Sequence, residues 1–432
     1  MSGAGAQWLA AIGAALLPTA CTTTFDGAVP TRARTADSDT GATVGSAAAS
    51  PPTSADVPSP IAPPGSGDAD STGQSPALPW PQPSDAALPQ GQALQAAVQR
   101  IAAVAASAGM RGVTAAVVTP QGSWAGAVGV DGDGGPLVPE AMMGIAEVTN
   151  TVTAAEVLLL AQDGRIDLDA PLSIYVNHPL LGRRQPTVRQ VLSHTSGIPT
   201  CATQDLMTAL REDPTRSWTA GQVLGYAPTV PECGPTDPMS MSDYLLLGLL
   251  IEKITGLGYA AAVQRDLLSG NGDARIVVQD AQQPPTPLAA PSRPDGLVPD
   301  GHFLPNRAVA SAGGAATGIA ADAGALARWG YRLYGGQVLS PEGTAAMRTP
   351  VTDRYGLGTF IVGDGPQGNL DYRLGGIGAI GHPGFLIPGY QALLLVVPRD
   401  QLSVAVLTVA PSDVGAVETP IIVADLIDAL HS

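Results

Sequence analysis

A chain of 432 residues with 45% hydrophobic content holds enough apolar material to bury a large core. Its formal charge of −16 argues against nucleic acid as a partner and against charge-driven binding to bare anionic lipid. The five histidines (His178, His194, His302, His382, His431) and three cysteines form no H-x-x-x-H or C-x-x-C pattern, so neither a metal site nor a cofactor is expected.

The N-terminal segment carries an apolar run from Trp8 to Leu17, then Leu17-Pro18-Thr19-Ala20-Cys21. This is similar to a bacterial lipobox, in which signal cleavage exposes the cysteine for lipid attachment at Cys21. Pro18 and Thr19 interrupt the usual small aliphatic residues, and residues 1–20 lack the basic flank of a signal, so a plain or uncleaved signal is the alternative. Residues 22–88 are dense in Pro, Ser, Thr, Ala and Gly, with no periodic apolar face, and are expected to form a disordered tether. The expected setting is extracytoplasmic: a lipoprotein on the cell membrane, or a secreted or wall-associated protein.

Beyond the tether the pattern is α/β. Gln92–Ala106 has helical spacing, with Leu94, Val98, Ile101 and Val104 on one stripe. Val113–Val118 and Trp124–Val130 form a candidate strand pair around Gly122. Residues 150–280 are expected to be mostly helical. Leu393–Pro398 and Leu402–Val409 form a second apolar strand pair, and Thr419–His431 a closing helix.

Five segments carry a pattern. Ile145-Ala146-Glu147-Val148-Thr149-Asn150 leads into an Ala/Leu-rich helix, with Gly164, Leu168, Asp169 and Pro171 beyond it. Val191–Pro199 reads V-L-S-H-T-S-G-I-P, and Leu247–Gly256 reads L-G-L-L-I-E-K-I-T-G. Ser311-Ala312-Gly313-Gly314 precedes Asp322 and Ala325–Arg328. Gly381-His382-Pro383-Gly384 precedes Pro388-Gly389-Tyr390. Together these resemble the serine β-lactamase and DD-peptidase (penicillin-binding protein-like) superfamily, closest to its class C branch. The resemblance covers residues 90–432 and implies an antiparallel sheet flanked by helices plus a mostly helical lobe.

The same resemblance implies a Ser-x-x-Lys pair at a helix start, where an amine one turn on assists a serine in attacking an acyl carbon. Here Glu147 stands in the serine position and Asn150 in the lysine position. The chain has one lysine, Lys253, and the residue three before it is Leu250, so no Ser-x-x-Lys exists in any alignment. The family's Y-x-N triplet maps onto Met239-Ser240-Met241, which removes the phenol and the substrate-binding amide. Of the third motif, His382 and Gly384 remain. Glu147 at a helix start is expected to be ionised and to repel carboxylate-bearing ligands. It could instead serve as general base toward a water, or simply make helix-start hydrogen bonds with Asn150.

Other groups invite competing readings. His194-Thr195-Ser196-Gly197 contains a serine and a histidine, yet the resemblance implies a structural turn, and sequence neighbours rarely align as nucleophile and base. Ser240 and Ser242 have no candidate base nearby in sequence. A Glu147–His382 contact that raises the histidine pKa is weighed against a satisfied, partly buried histidine. Cys201 and Cys233 are expected to pair in an oxidising compartment.

Three functions follow. The first is a non-catalytic pseudoenzyme binding a cell-wall peptide or envelope protein. The second is a hydrolase with a rebuilt site, acting on cell-wall peptides, β-lactams or esters. The third is a scaffold domain whose cleft is irrelevant.

Overall fold

The computed structural model describes residues 78–432 apart from 107–108, 183, 229–238, 270–273, 280–281, 293–297, 363–376, 387–388 and 411. Cys21, Cys233 and the tether up to residue 77 lie outside the described residues.

Among the described residues the main sheet has six antiparallel strands in the order β2-β1-β9-β8-β7-β6. These are β1 (Gly112–Thr119), β2 (Gly122–Gly129), β6 (Phe360–Ile361), β7 (Ile380–Leu386), β8 (Tyr390–Val397) and β9 (Leu402–Val409). A smaller sheet, β3-β5-β4, joins Met143–Gly144, Ile319–Ala321 and Ile276–Val278. The helices, in chain order, are α1 (Gly91–Ala105), α2 (Thr149–Gln162), α3 (Val188–Leu192), α4 (Gln204–Glu212), α5 (Ala220–Leu224), α6 (Met241–Thr255), α7 (Tyr259–Val263), α8 (Arg307–Thr317), α9 (Ala323–Tyr334), α10 (Pro341–Arg348) and α11 (Ser412–Leu430). Among the described residues no single helix is long and apolar enough to cross a membrane.

Strands β1, β8 and β9 are buried on both faces, which explains their near-continuous apolar runs. Alternate residues feed two separate cores. Val113, Ala115 and Val117 of β1, with Leu393, Leu395, Val404 and Val406, face a cluster shared with α1 and α11. Ala116, Val118, Leu394, Val396, Ala405 and Leu407 face the opposite way, into the cluster that fills the helical lobe. A one-residue slip would exchange the two sets, so the pleat fixes the register.

Two expectations change. The face of α1 is Leu94, Ala97, Val98, Ala102 and Ala105, while Val104 is 64% exposed. Alanines replace the larger stripe because α1 packs directly against α11, and small side chains let the axes approach. Residues 78–88, assigned to the tether by composition, are packed on the domain. Trp80 is buried, its N–H donates to Gly335 O at 2.8 Å, and Gln337 Nε2 donates to Trp80 O at 3.0 Å. The Trp80 ring meets Tyr331 edge-on at 5.1 Å, and Gly335 is glycine where a Cβ would lie 2.8 Å from that ring. One aromatic anchor outweighs the surrounding prolines.

Helix α2 runs through the middle of the lobe and is buried on nearly all sides, so its polar residues must be satisfied internally. Thr151 Oγ1 donates to Val148 O and accepts from Trp329 Nε1; Thr153 Oγ1 donates to Ala315 O and accepts from the Tyr259 hydroxyl. Glu156, like Asn150 Oδ1, is an exception. Burial, reinforced by the neighbouring Asp266 carboxylate, pushes its carboxyl up to about 8. The folded state therefore keeps a proton that the unfolded chain releases near the ordinary glutamate value, so stability falls as pH rises from about 4.5 to about 8. Glu156→Gln should remove this loss. The melting temperature of the variant should exceed that of the wild type by about a few degrees at pH 8 and approach it at pH 5; a pH-independent difference would sink this account.

Candidate active site cleft

The cleft is built where the start of α2 meets strand β7. Ala146 opens a short 3₁₀ turn (Ala146–Val148) with φ of 50°, a left-handed conformation that costs a residue with a Cβ of order 1–2 kcal/mol. The turn is fixed on both sides. Ile145 N–H donates to Ile319 O at 3.0 Å, and β7 presses so closely that a Cβ on Gly384 would lie 2.3 Å from Ile145 O and 3.2 Å from Glu147 N. This close approach gives Gly384 its role. It also carries the Phe385 N–H to the Glu147 carboxylate, which accepts from it at 2.8 Å. Glu147 is partly exposed and is the residue of this group that reaches the solvent side.

One turn along α2, Asn150 is buried, and its side chain hydrogen-bonds the hydroxyl of Tyr355. Asn150 Oδ1 has no hydrogen-bond partner. The Tyr355 hydroxyl lies 3.0 Å from His382 Nε2, and His382 Nδ1 lies 2.6 Å from the Pro383 carbonyl. The carbonyl can only accept, so Nδ1 carries the proton and Nε2 accepts from the phenol. Burial pulls the His382 pKa down to about 3; the Pro383 carbonyl opposes this and nearby His194 adds to it. Of the two readings weighed for His382, the ring is the buried histidine with partners of its own, and its pKa is lowered rather than raised. Desolvation wins, and the ring is neutral at any physiological pH. The same burial drives the phenols of Tyr355 and Tyr244 well above the usual tyrosine range.

The H-T-S-G turn is tied to the start of α6. His194 Nδ1 lies 3.0 Å from Asp243 Oδ2, and Ser196 Oγ donates to Asp243 Oδ1 at 2.6 Å. Ser196 also accepts from Ile198 N–H at 3.0 Å. The carboxylate stands between serine and histidine, the wrong order for a histidine to take the serine proton. Ser242 Oγ donates to Pro199 O at 2.8 Å, and buried Ser240 caps the helix by position alone. Met239 and Met241 lie beside it, half-buried, and Met241 packs on the main core. No disulfide is seen at Cys201, the first member of the expected Cys201–Cys233 pair. Cys201 is a free, fully buried thiol packed in the main core, pushed up to about 11 by burial, while Cys233 lies outside the described residues. Among the described residues no group of three or more His, Cys, Asp or Glu side chains could hold a metal ion.

Sequence reasoning missed Tyr355, Tyr244 and Phe385. Phe385 acts through its backbone, which no side-chain pattern reveals. Tyr355 has a faint signal in Tyr355-Gly356-Leu357-Gly358, where Gly358 has φ of 71° and a Cβ would meet Ala154 Cβ at 2.4 Å. Tyr355→Phe removes only the hydroxyl that His382 and Asn150 share. It should cost about 1–3 kcal/mol in urea denaturation, the usual penalty for stranding buried polar partners; a cost below about 0.5 kcal/mol would mean that the network does not hold the cleft.

The family model described as Beta-lactamase matches residues 95–426. Protein flp of Staphylococcus aureus (strain COL) is 33% identical over 132 residues, 29% of this chain; the chain matches about 25% of the length of that curated relative. A D-stereospecific amidohydrolase from Streptomyces sp. is 25% identical with a TM-score of 0.61, over 75% of this chain and 97% of that one. A D-amino acid amidase from Ochrobactrum anthropi SV3 is 20% identical with a TM-score of 0.62, over 78% of this chain and 98% of that one. The octameric penicillin-binding protein homologue of Pyrococcus abyssi is 21% identical with a TM-score of 0.57, over 73% of each chain. With the motif frame of residues 145–199 and 381–384, the antiparallel sheet and this match over most of its length, the chain belongs to the beta-lactamase family, within the serine β-lactamase and transpeptidase superfamily.

Proposed function

We propose that this is an exported, lipid-anchored member of the family that binds a cell-envelope peptide or protein without turning it over. The carrying observation is the pair at the start of α2. Glu147 and Asn150 stand where a serine and a lysine are required, and the Glu147 carboxylate accepts from the Phe385 amide. Three further facts support the reading. His382 is buried and neutral, the Ser196 hydroxyl is committed to Asp243, and methionines occupy the two side-chain positions of the Y-x-N triplet. Cys21 is the proposed point of lipid attachment, with the Pro/Ser-rich segment as the reach into the envelope.

A scaffold role, with function on another surface, is the second reading. It is favoured by the burial of Asn150, Tyr355 and His382, which leaves little of the old cleft floor for a ligand to touch. A rebuilt hydrolase acting on an amide, ester or β-lactam draws its support from the amidohydrolase likeness, and fold alone does not carry activity.

The deciding experiment exposes the full chain to a fluorophosphonate and to a fluorescent penicillin and reads intact mass. No adduct is expected under conditions that label an active relative completely. A stoichiometric adduct would overturn the non-catalytic reading, and its position would identify the nucleophile.

A further inference from the structure

Among the described residues strand β6 pairs with β7 at Ile380 and Gly381, and beyond Gly381 no described strand lies beside the outer edge of β7. In an antiparallel strand alternate residues turn their N–H to the same edge. Two residues after Gly381 is Pro383, which has no N–H, and two further is Phe385, whose N–H points out of the sheet to Glu147 Oε2 at 2.8 Å. Here an edge amide, the type of donor that usually pairs with another strand or with a ligand, is paired with a side chain 238 residues away in sequence. The acceptor is a carboxylate, the small anion that such a donor binds most strongly.

The surroundings are shaped for this contact. Gly384 lets β7 reach van der Waals distance of residues 145–147, where any side chain would force the elements apart. Ala146 holds a left-handed conformation immediately before Glu147, and that backbone directs the following residue toward β7. An uncharged cap would not need a strained turn to deliver it. A charge-assisted bond in a partly desolvated cleft offsets the strain.

We propose that Glu147 is a built-in ligand of the cleft: its carboxylate fills a small-carboxylate site on the Phe385 amide, and that site accepts an outside carboxylate when the Glu147 side chain is taken away. The wild-type cleft thereby rejects carboxylate-ended ligands at this amide by occupancy, while ligands that do not need this donor face no such competition. This deepens the non-catalytic reading of the same cleft and rests on it.

Acetate is the probe. The Phe385 amide resonance of the full chain is followed by ¹⁵N NMR during titration with sodium acetate against sodium chloride of equal ionic strength. In Glu147→Ala, acetate should shift that resonance saturably, with an apparent Kd about tenfold or more below that of the wild type, and should raise the melting temperature. Glu147→Gln keeps an acceptor oxygen and should respond as weakly as the wild type. Equal acetate responses in wild type and Glu147→Ala, or no response in either, would overturn the proposal. Should Glu147→Ala not fold, acid titration of the wild type decides. The Phe385 amide proton should move upfield as the Glu147 carboxylate takes up a proton, and a resonance indifferent to that step would overturn the proposal. A penicillin adduct would defeat the non-catalytic reading and leave the acetate result standing; a failed acetate titration would defeat the built-in ligand and leave the labelling result standing.

Discussion

The contact between β7 and the start of α2 is the constraint on which the cleft depends. Gly384 sets the distance, Ala146 supplies the turn, and Phe385 and Glu147 close it with a hydrogen bond. This junction joins the sheet to the helical lobe, since β7 belongs to the six-stranded sheet and α2 runs through the core of the lobe. The Ile145 N–H bond to β5 adds the smaller sheet to the same point. Glycines and strained turns in a frame of this kind are needed for packing whether or not chemistry is performed.

Behind the junction the polar groups form a closed, neutral set. Asn150, Tyr355 and His382 are linked through the Tyr355 hydroxyl away from water, and burial holds the phenol and the imidazole in their uncharged forms. A site poised for proton transfer needs a group whose pKa lies near the working pH. Burial here moves His382 down and the tyrosines up, so the two kinds of group separate rather than meet. His194, Ser196 and Asp243 likewise spend their hydrogen bonds on fixing a turn to the first turn of α6. The chemistry-bearing residue types are present, and their geometry is structural.

The fold was legible because its signals are local and repeated. The strand runs of β8 and β9, the turn around Gly122 and the helical spacing of α1 each follow from pattern. The absence of a Ser-x-x-Lys pair was legible with still less, since the chain has one lysine and Leu250 stands three residues before it. What escaped depends on long-range contact. That Val104 faces out and Ala97 faces in depends on how closely α11 approaches, and no feature of the α1 sequence states it. The direction of the His382 shift depends on how completely Tyr355 and Phe360 enclose the ring. The inward orientation of the Cys201 thiol is a matter of packing, which export chemistry does not reveal.

The docking of residues 78–88 has a mechanical meaning. Tension arriving along the chain from its N-terminal side reaches Trp80 before it reaches α1 or any strand of the sheet. The indole is wedged against Gly335 and Tyr331, and its backbone is held by Gly335 O and Gln337, so the load passes first into α9 and the segment that follows it. A pull from the N-terminal side would therefore load this one aromatic clasp before it loaded any strand of the sheet.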